Sequence, residues 1–288
     1  MKCRFDFEGA RVFYTTHGSG KPMLLLHNGG ASHRIWERQI EHFSASHRCI
    51  AFDLPGYGRS ADAGLRTSLG FHVDWLDAFC TLHGIEGATL VGNCMGSAIA
   101  LAYANAFPAR VERLVLFHPL TKRTVLAGPY APIFRLTTPR LRNALRALAM
   151  RLTTPRIFVK RAVRAHWGSG DRPDAALAAE LARLYRQRGQ LAALSDLLVD
   201  ADAFAALDRL TLPPSFPRTL VVWGEENEVL PIAGGRSLAR DLAPHRFVCV
   251  PGGGHLLMHQ HFTRANRIME KFFDAPSSVD RDPPQLRS

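Results

Sequence analysis

From Arg113 to Gly170 the chain contains no aspartate and no glutamate, although the whole sequence holds 25 acidic residues. Twelve lysines and arginines fall in the same interval, one more than the net charge of +11 of the entire chain. The positive excess is therefore local. Long apolar runs are equally absent: nothing approaches the roughly 18 consecutive apolar residues of a membrane-spanning helix, and the first ten residues carry no signal-peptide core. A cytoplasmic protein without an integral membrane segment is expected. The five cysteines, Cys3, Cys49, Cys80, Cys94 and Cys249, are odd in number and form no Cys-x-x-Cys pair. That pattern argues against a disulfide framework and against a zinc site. Gly18-Ser-Gly-Lys21 lacks the spacing of a phosphate-binding loop, and His259 and His261 lack metalloprotease spacing. No metal and no cofactor are expected. No nucleic-acid recognition motif accompanies the arginines, so nucleic acid is not the expected partner.

What is present is a globular composition, 288 residues and 47% hydrophobic, enough for one large core with an insertion. Lys2 to Phe7 and Arg11 to Thr16 read as a hairpin closed around Glu8-Gly9. Apolar runs at 23–27, 48–53, 88–91, 111–117, 219–224 and 246–250 read as buried strands alternating with helices, one of them from about Ser68 to His83. Such alternation predicts an α/β fold with a mostly parallel sheet covered on both faces. About a hundred residues of helical character, roughly Pro119 to Pro217, separate two of the strands. That is too long for a connection and reads as an inserted helical cap. Within it Arg-Leu-Thr-Thr-Pro-Arg occurs twice, at 135–140 and 151–156, which is too few copies for a repeat architecture. The predicted organisation is a core of 1–118 and 218–274, a cap of 119–217 and a disordered tail of 275–288.

The chemistry concentrates at Ala88 to Leu101, Ala-Thr-Leu-Val-Gly-Asn-Cys-Met-Gly-Ser-Ala-Ile-Ala-Leu. Gly92-x-Cys94-x-Gly96 joins a strand to a helix with the small residues that a nucleophile elbow needs. At the start of a helix, a solvent-facing Cys94 sulfur with a lowered pKa is expected. Two further sites fall at strand ends, the usual ligand-binding edge of an open α/β sheet. They are the loop Gly224-Glu-Glu-Asn-Glu-Val-Leu-Pro231 and His255, which follows Pro251-Gly-Gly-Gly254.

In the order nucleophile, acid, histidine, and with the His27-Asn28-Gly29-Gly30 loop and the Phe52-Asp-Leu-Pro-Gly-Tyr-Gly-Arg-Ser60 run, residues 10 to 273 resemble the α/β-hydrolase superfamily. The resemblance implies the α/β-hydrolase fold. It makes Cys94 the nucleophile and His255 the base, with the backbone N–H groups of Met95 and of Gly29 or Gly30 as oxyanion hole. Two positions depart from the family pattern: cysteine replaces the usual serine, and Asn227 stands where aspartate is usual. Cys-His-Asn is coherent for thiol chemistry, because a carbonyl suffices to orient the imidazole. Glu226 or Glu228 could supply a carboxylate if the loop register differs by one. His118 could line the pocket or pack, and Asp53 should shape the Pro55-Gly56 turn.

The basic cap is either a solvated face or the dock of an acidic partner: an acyl carrier protein, the phosphates of coenzyme A or an anionic membrane surface. Arg142 and Arg146, four apart on one helix face, are candidates for that contact. The expected function is hydrolysis or transfer of an acyl thioester through Cys94. The alternatives are a dienelactone-hydrolase-like or ester hydrolase acting on a small free substrate, and a catalytically inactive hydrolase-fold binding protein.

Overall fold

The computed structural model describes residues 1–61, 65–168 and 173–275, so the predicted tail lies almost wholly outside the described residues. Eight strands form one sheet: β1 (Lys2–Phe7), β2 (Ala10–His17), β3 (Lys21–Leu26), β4 (His47–Asp53), β5 (Ala88–Asn93), β6 (Val111–Phe117), β7 (Arg218–Gly224) and β8 (Arg246–Val250). Their order is β1-β2-β4-β3-β5-β6-β7-β8. β1 and β2 form the expected antiparallel hairpin, and from β4 to β8 all neighbours run parallel. Glu8 and Gly9 both have positive φ, 43° and 82°, which matches the backbone twist a two-residue hairpin turn demands.

Around the sheet lie α1 (Glu37–Phe43), α2 (Leu69–Leu82) and α3 (Met95–Ala106). Between β6 and β7 come α4 (Lys122–Leu126), α5 (Ala131–Leu136), α6 (Pro139–Ala149), α7 (Arg156–Arg164), α8 (Ala175–Tyr185), α9 (Gln190–Val199) and α10 (Ala201–Leu207). After β7 follow α11 (Ile232–Leu242), α12 (Leu257–Gln260) and α13 (Phe262–Asp274).

Successive side chains of a strand point to opposite faces, and the central strands obey this strictly. Leu24, Leu26, Leu90, Leu114 and Leu116 pack with Trp75, Phe79, Ala98 and Leu101 of α2 and α3. Met23, Leu25, Val91, Val115 and Phe117 pack with Phe43, Met269 and Phe272 of α1 and α13 on the other side. Continuously apolar strands are what a sheet covered on both faces requires. Each large side chain so buried contributes about 1.5–3 kcal/mol, which makes the sheet a firm platform for the loops at its edge.

Buried polar contacts tie the helices between β6 and β7 to one another and to the segment just before α2. Arg146 of α6 forms an ion pair with Asp196 of α9. Asp196 Oδ2 in turn accepts the Thr67 backbone N–H at 3.0 Å, and Arg146 Nη2 donates to the Leu65 carbonyl at 2.8 Å. Arg142 donates from Nη2 to the Phe134 carbonyl at 2.8 Å and from Nε to Thr137 Oγ1 at 3.0 Å. Both arginines are buried. Both side chains turn inward, so neither stands exposed as the expected contact with a carrier protein or coenzyme A requires. Among the described residues no helix is long and apolar enough to cross a membrane.

Candidate active site

Cys94 sits between β5 and α3 with φ 52° and ψ −108°. A non-glycine residue held there is strained, and it persists because its surroundings leave no alternative. Glycine is mandatory on either side. A Cβ on Gly92 would lie 2.4 Å from the Gly96 backbone, and one on Gly96 would lie 2.0 Å from the Leu26 carbonyl oxygen. The strand and helix thus approach as closely as the motif requires.

The thiol itself differs from expectation. Cys94 is buried rather than solvent-facing, and desolvation pushes its pKa up to about 12 despite the Met95 N–H directed at the sulfur. The magnitudes explain the outcome. A helix terminus contributes about 0.3–1 kcal/mol, less than one pKa unit, whereas full burial shifts a group by up to roughly 3–5 units. Met95 opens α3, so its N–H has no carbonyl one turn earlier within the helix.

His255 is fully enclosed. Its Nδ1 stands 3.1 Å from Asn227 Oδ1, an oxygen that also accepts the backbone N–H groups of Val229 and Leu230 at 3.0 and 2.9 Å. Those two donors fix which end of the amide faces inward, and the amide oxygen then requires the proton of the imidazole to be on Nδ1. Asn227 Nδ2 is buried without a partner among the described residues. Glu226 and Glu228 are exposed while Asn227 is buried, so the alternative loop register is not the one adopted. Burial, followed by the fields of His118 and His166, holds the His255 pKa well below its ordinary value. Among the described residues no hydrogen bond joins Cys94 to His255, and both are neutral. A resting thiolate–imidazolium pair is absent.

His118 packs rather than lining a pocket. Its ring stacks on His255 at 5.4 Å and 25°, its Nε2 accepts the Gly224 N–H at 2.9 Å, and its Nδ1 donates to Asn93 Oδ1 at 3.1 Å. Two residues escaped the sequence reading. Asn93, immediately before Cys94, donates from Nδ2 to Asn28 Oδ1 and to the His255 carbonyl, both at 3.3 Å. It therefore ties the elbow, the Gly29-Gly30 loop and the histidine loop together. His166, after α7, packs edge-on against His255 at 5.4 Å and lies 3.3 Å from the Asn28 amide, while its Nδ1 donates to the Ala162 carbonyl at 2.6 Å. Nothing in a lone histidine of a basic helical stretch pointed to it. The glycine directly before His255 could have: a Cβ on Gly254 would lie 2.4 Å from the Gly168 nitrogen, so its absence lets the His166–Gly168 segment close down.

The Gly29-Gly30 loop follows β3, beneath α8 and α9. Gly30 has φ +83°, and a Cβ there would meet the Tyr185 ring at 2.7 Å. Asp53 shapes its turn as expected. It accepts the Arg59 N–H at 2.8 Å, and it also anchors His33 through its N–H at 2.8 Å and its Nδ1 at 2.6 Å.

A family model described as the alpha/beta hydrolase fold matches residues 21–262. The chain belongs to the α/β-hydrolase fold family. A 2-hydroxy-6-oxononadienedioate/2-hydroxy-6-oxononatrienedioate hydrolase of Paraburkholderia phymatum is 28% identical over 287 residues, covering 91% of this chain and 90% of that one. An uncharacterized protein of Mycobacterium bovis is 25% identical over 302 residues, covering 97% and 83%. The crystal structure of an enol-lactonase from Burkholderia xenovorans superposes with a TM-score of 0.76 at 18% identity, covering 95% of this chain and all of that one, a likeness of fold.

Proposed function

We propose that this hydrolase-fold protein cleaves an activated acyl compound, an ester or a thioester, through a covalent acyl-Cys94 intermediate. His255 is the base, Asn227 orients it, and the N–H groups of Met95 and of Gly29 or Gly30 receive the oxyanion. The observation that carries this reading is the backbone of Cys94. Conformational strain of about 1–3 kcal/mol at a single residue is retained where it positions a reactive group. With the proton of His255 on Nδ1, Nε2 offers a lone pair. The Cys94 proton passes to Nε2 as Sγ bonds the acyl carbon, and His255 returns that proton to the departing oxygen or sulfur as its bond to the acyl carbon breaks. Water then attacks the thioester, gives its proton to His255, and releases the acid with Cys94 again a thiol. Asn227 gives His255 orientation without a negative charge, which suits a thiol better than a less acidic serine hydroxyl.

The substrate is a small free molecule. Arg142 and Arg146 are buried and so are not available to a carrier, and the Paraburkholderia relative is named for a dioate. The unpartnered Asn227 amide and the missing carboxylate favour a second reading, a hydrolase-fold protein that binds without turnover. Steady-state hydrolysis of p-nitrophenyl acetate and of a short N-acetylcysteamine thioester decides between them. Turnover lost in Cys94→Ala and His255→Ala supports catalysis; no turnover above the Cys94→Ala background leaves the binding reading.

A further inference from the structure

Eight of the eleven large apolar side chains that stand exposed among the described residues fall between Tyr130 and Phe158. Isolated exposed leucines are ordinary on a protein surface, but concentration of this kind marks an interaction site. Leu136 is 79% exposed, Ile157 74% and Phe158 61%. α7 turns Val159 and Val163 inward, so Ile157 and Phe158 are a second apolar feature that packing among the described residues does not use. The same stretch of sequence also exposes Arg135, Arg140, Arg151, Arg156, Lys160 and Arg161 and contains no acidic residue.

We propose that the exposed residues of α5 to α7, above all Ile157 and Phe158 with Arg156, Lys160 and Arg161 on the single helix α7, dock on an anionic lipid surface. The argument is one of complementarity. Protruding apolar side chains flanked by cations suit a fluid interface, where acyl chains take the former and phosphate headgroups the latter. The proposal concerns the surface alone and does not depend on the chemistry assigned to Cys94.

Cosedimentation of the full chain with phosphatidylcholine vesicles, with and without phosphatidylglycerol, tests it. Binding is expected only with the anionic lipid and is expected to weaken with added salt. Each cation near such a surface strengthens binding about fivefold, so the Arg156→Gln, Lys160→Gln variant should bind about 25-fold more weakly. The Ile157→Ser, Phe158→Ser variant should also release the protein. All four positions are exposed, and an unchanged circular dichroism spectrum and melting temperature would confirm that both variants fold. Equal binding to neutral and anionic vesicles, no binding to either, or variants that bind like the wild type would overturn the proposal. So would a dimer in light scattering that the Ile157→Ser, Phe158→Ser change dissolves in the absence of lipid binding, because a second copy would then be the occupant.

Discussion

The side-chain oxygen of Asn227 holds Nδ1 of His255 at 3.1 Å while accepting two backbone N–H groups. Three donors on one oxygen make an arrangement that a carboxylate would fill, yet the group present is neutral and its own N–H₂ is unpartnered. Asn227→Asp should therefore raise the depressed His255 pKa, since an opposite charge within hydrogen-bond reach favours the imidazolium. Histidine NMR titration measures it. Activity should be kept or increased. Asn227→Ala should lower kcat/KM by about 10–100-fold and His255→Ala by about 10²–10⁴-fold, because orienting an imidazole contributes less than supplying one. A greater loss from Asn227→Ala than from His255→Ala would contradict these roles.

Alkylation follows exposure, not motif. With the Cys94 pKa pushed up to about 12, only about 10⁻⁵ of it is thiolate at pH 7. Iodoacetamide develops no oxyanion and gains nothing from the backbone N–H groups. Cys3, half-exposed on β1, should label before Cys94, which should react about tenfold faster for each pH unit gained. Peptide mapping over a pH series checks the order; Cys94 labelling first at pH 7 would show a thiolate that the structure does not support.

Stability should fall on mild acidification. Burial lowers the pKa of His27 and His166 to about 4 and of His72 and His118 to about 3, against an ordinary value of 6.5. A pKa lowered by folding means that the unfolded chain binds the proton more readily. The contribution is complete above pH 6.5 and is lost as pH falls through the folded values, at about 1.4 kcal/mol per pH unit for each group. Urea midpoints at pH 7, 6 and 5 should decline with increasing steepness, and an unchanged midpoint would show that these rings are not buried neutral.

Arg146 should be a stability residue. Replacing it by alanine leaves Asp196 buried without its cation, a change that typically costs about 3–5 kcal/mol. Denaturant unfolding of Arg146→Ala against the exposed control Arg140→Ala measures the difference. Equal, small effects would return Arg146 to the surface.

The parallel sheet and the elbow were legible because they rest on local rules. Runs such as Leu24 to Leu26 and Leu114 to Phe117 can be buried only between two helical layers, and Gly92 and Gly96 leave Cys94 one conformation. The order of Cys94, Asn227 and His255 along the chain carried the family. Protonation was not legible, because it depends on desolvation by residues far away in sequence: His118 and His166 close over His255 from β6 and from the segment after α7. Nor did helical spacing show which arginines face solvent. Arg142 and Arg146 do share a helix face, as their spacing requires, but Asp196, fifty residues on from Arg146, turns that face inward.

Rapid-quench mass spectrometry of the intact protein with p-nitrophenyl acetate, followed by peptide mapping, tests the central claim most directly. A transient acetyl adduct on Cys94, formed before p-nitrophenol release reaches its steady rate and slowed by His255→Ala, is the predicted result. Turnover with no adduct on Cys94, or an adduct on another residue, would contradict it.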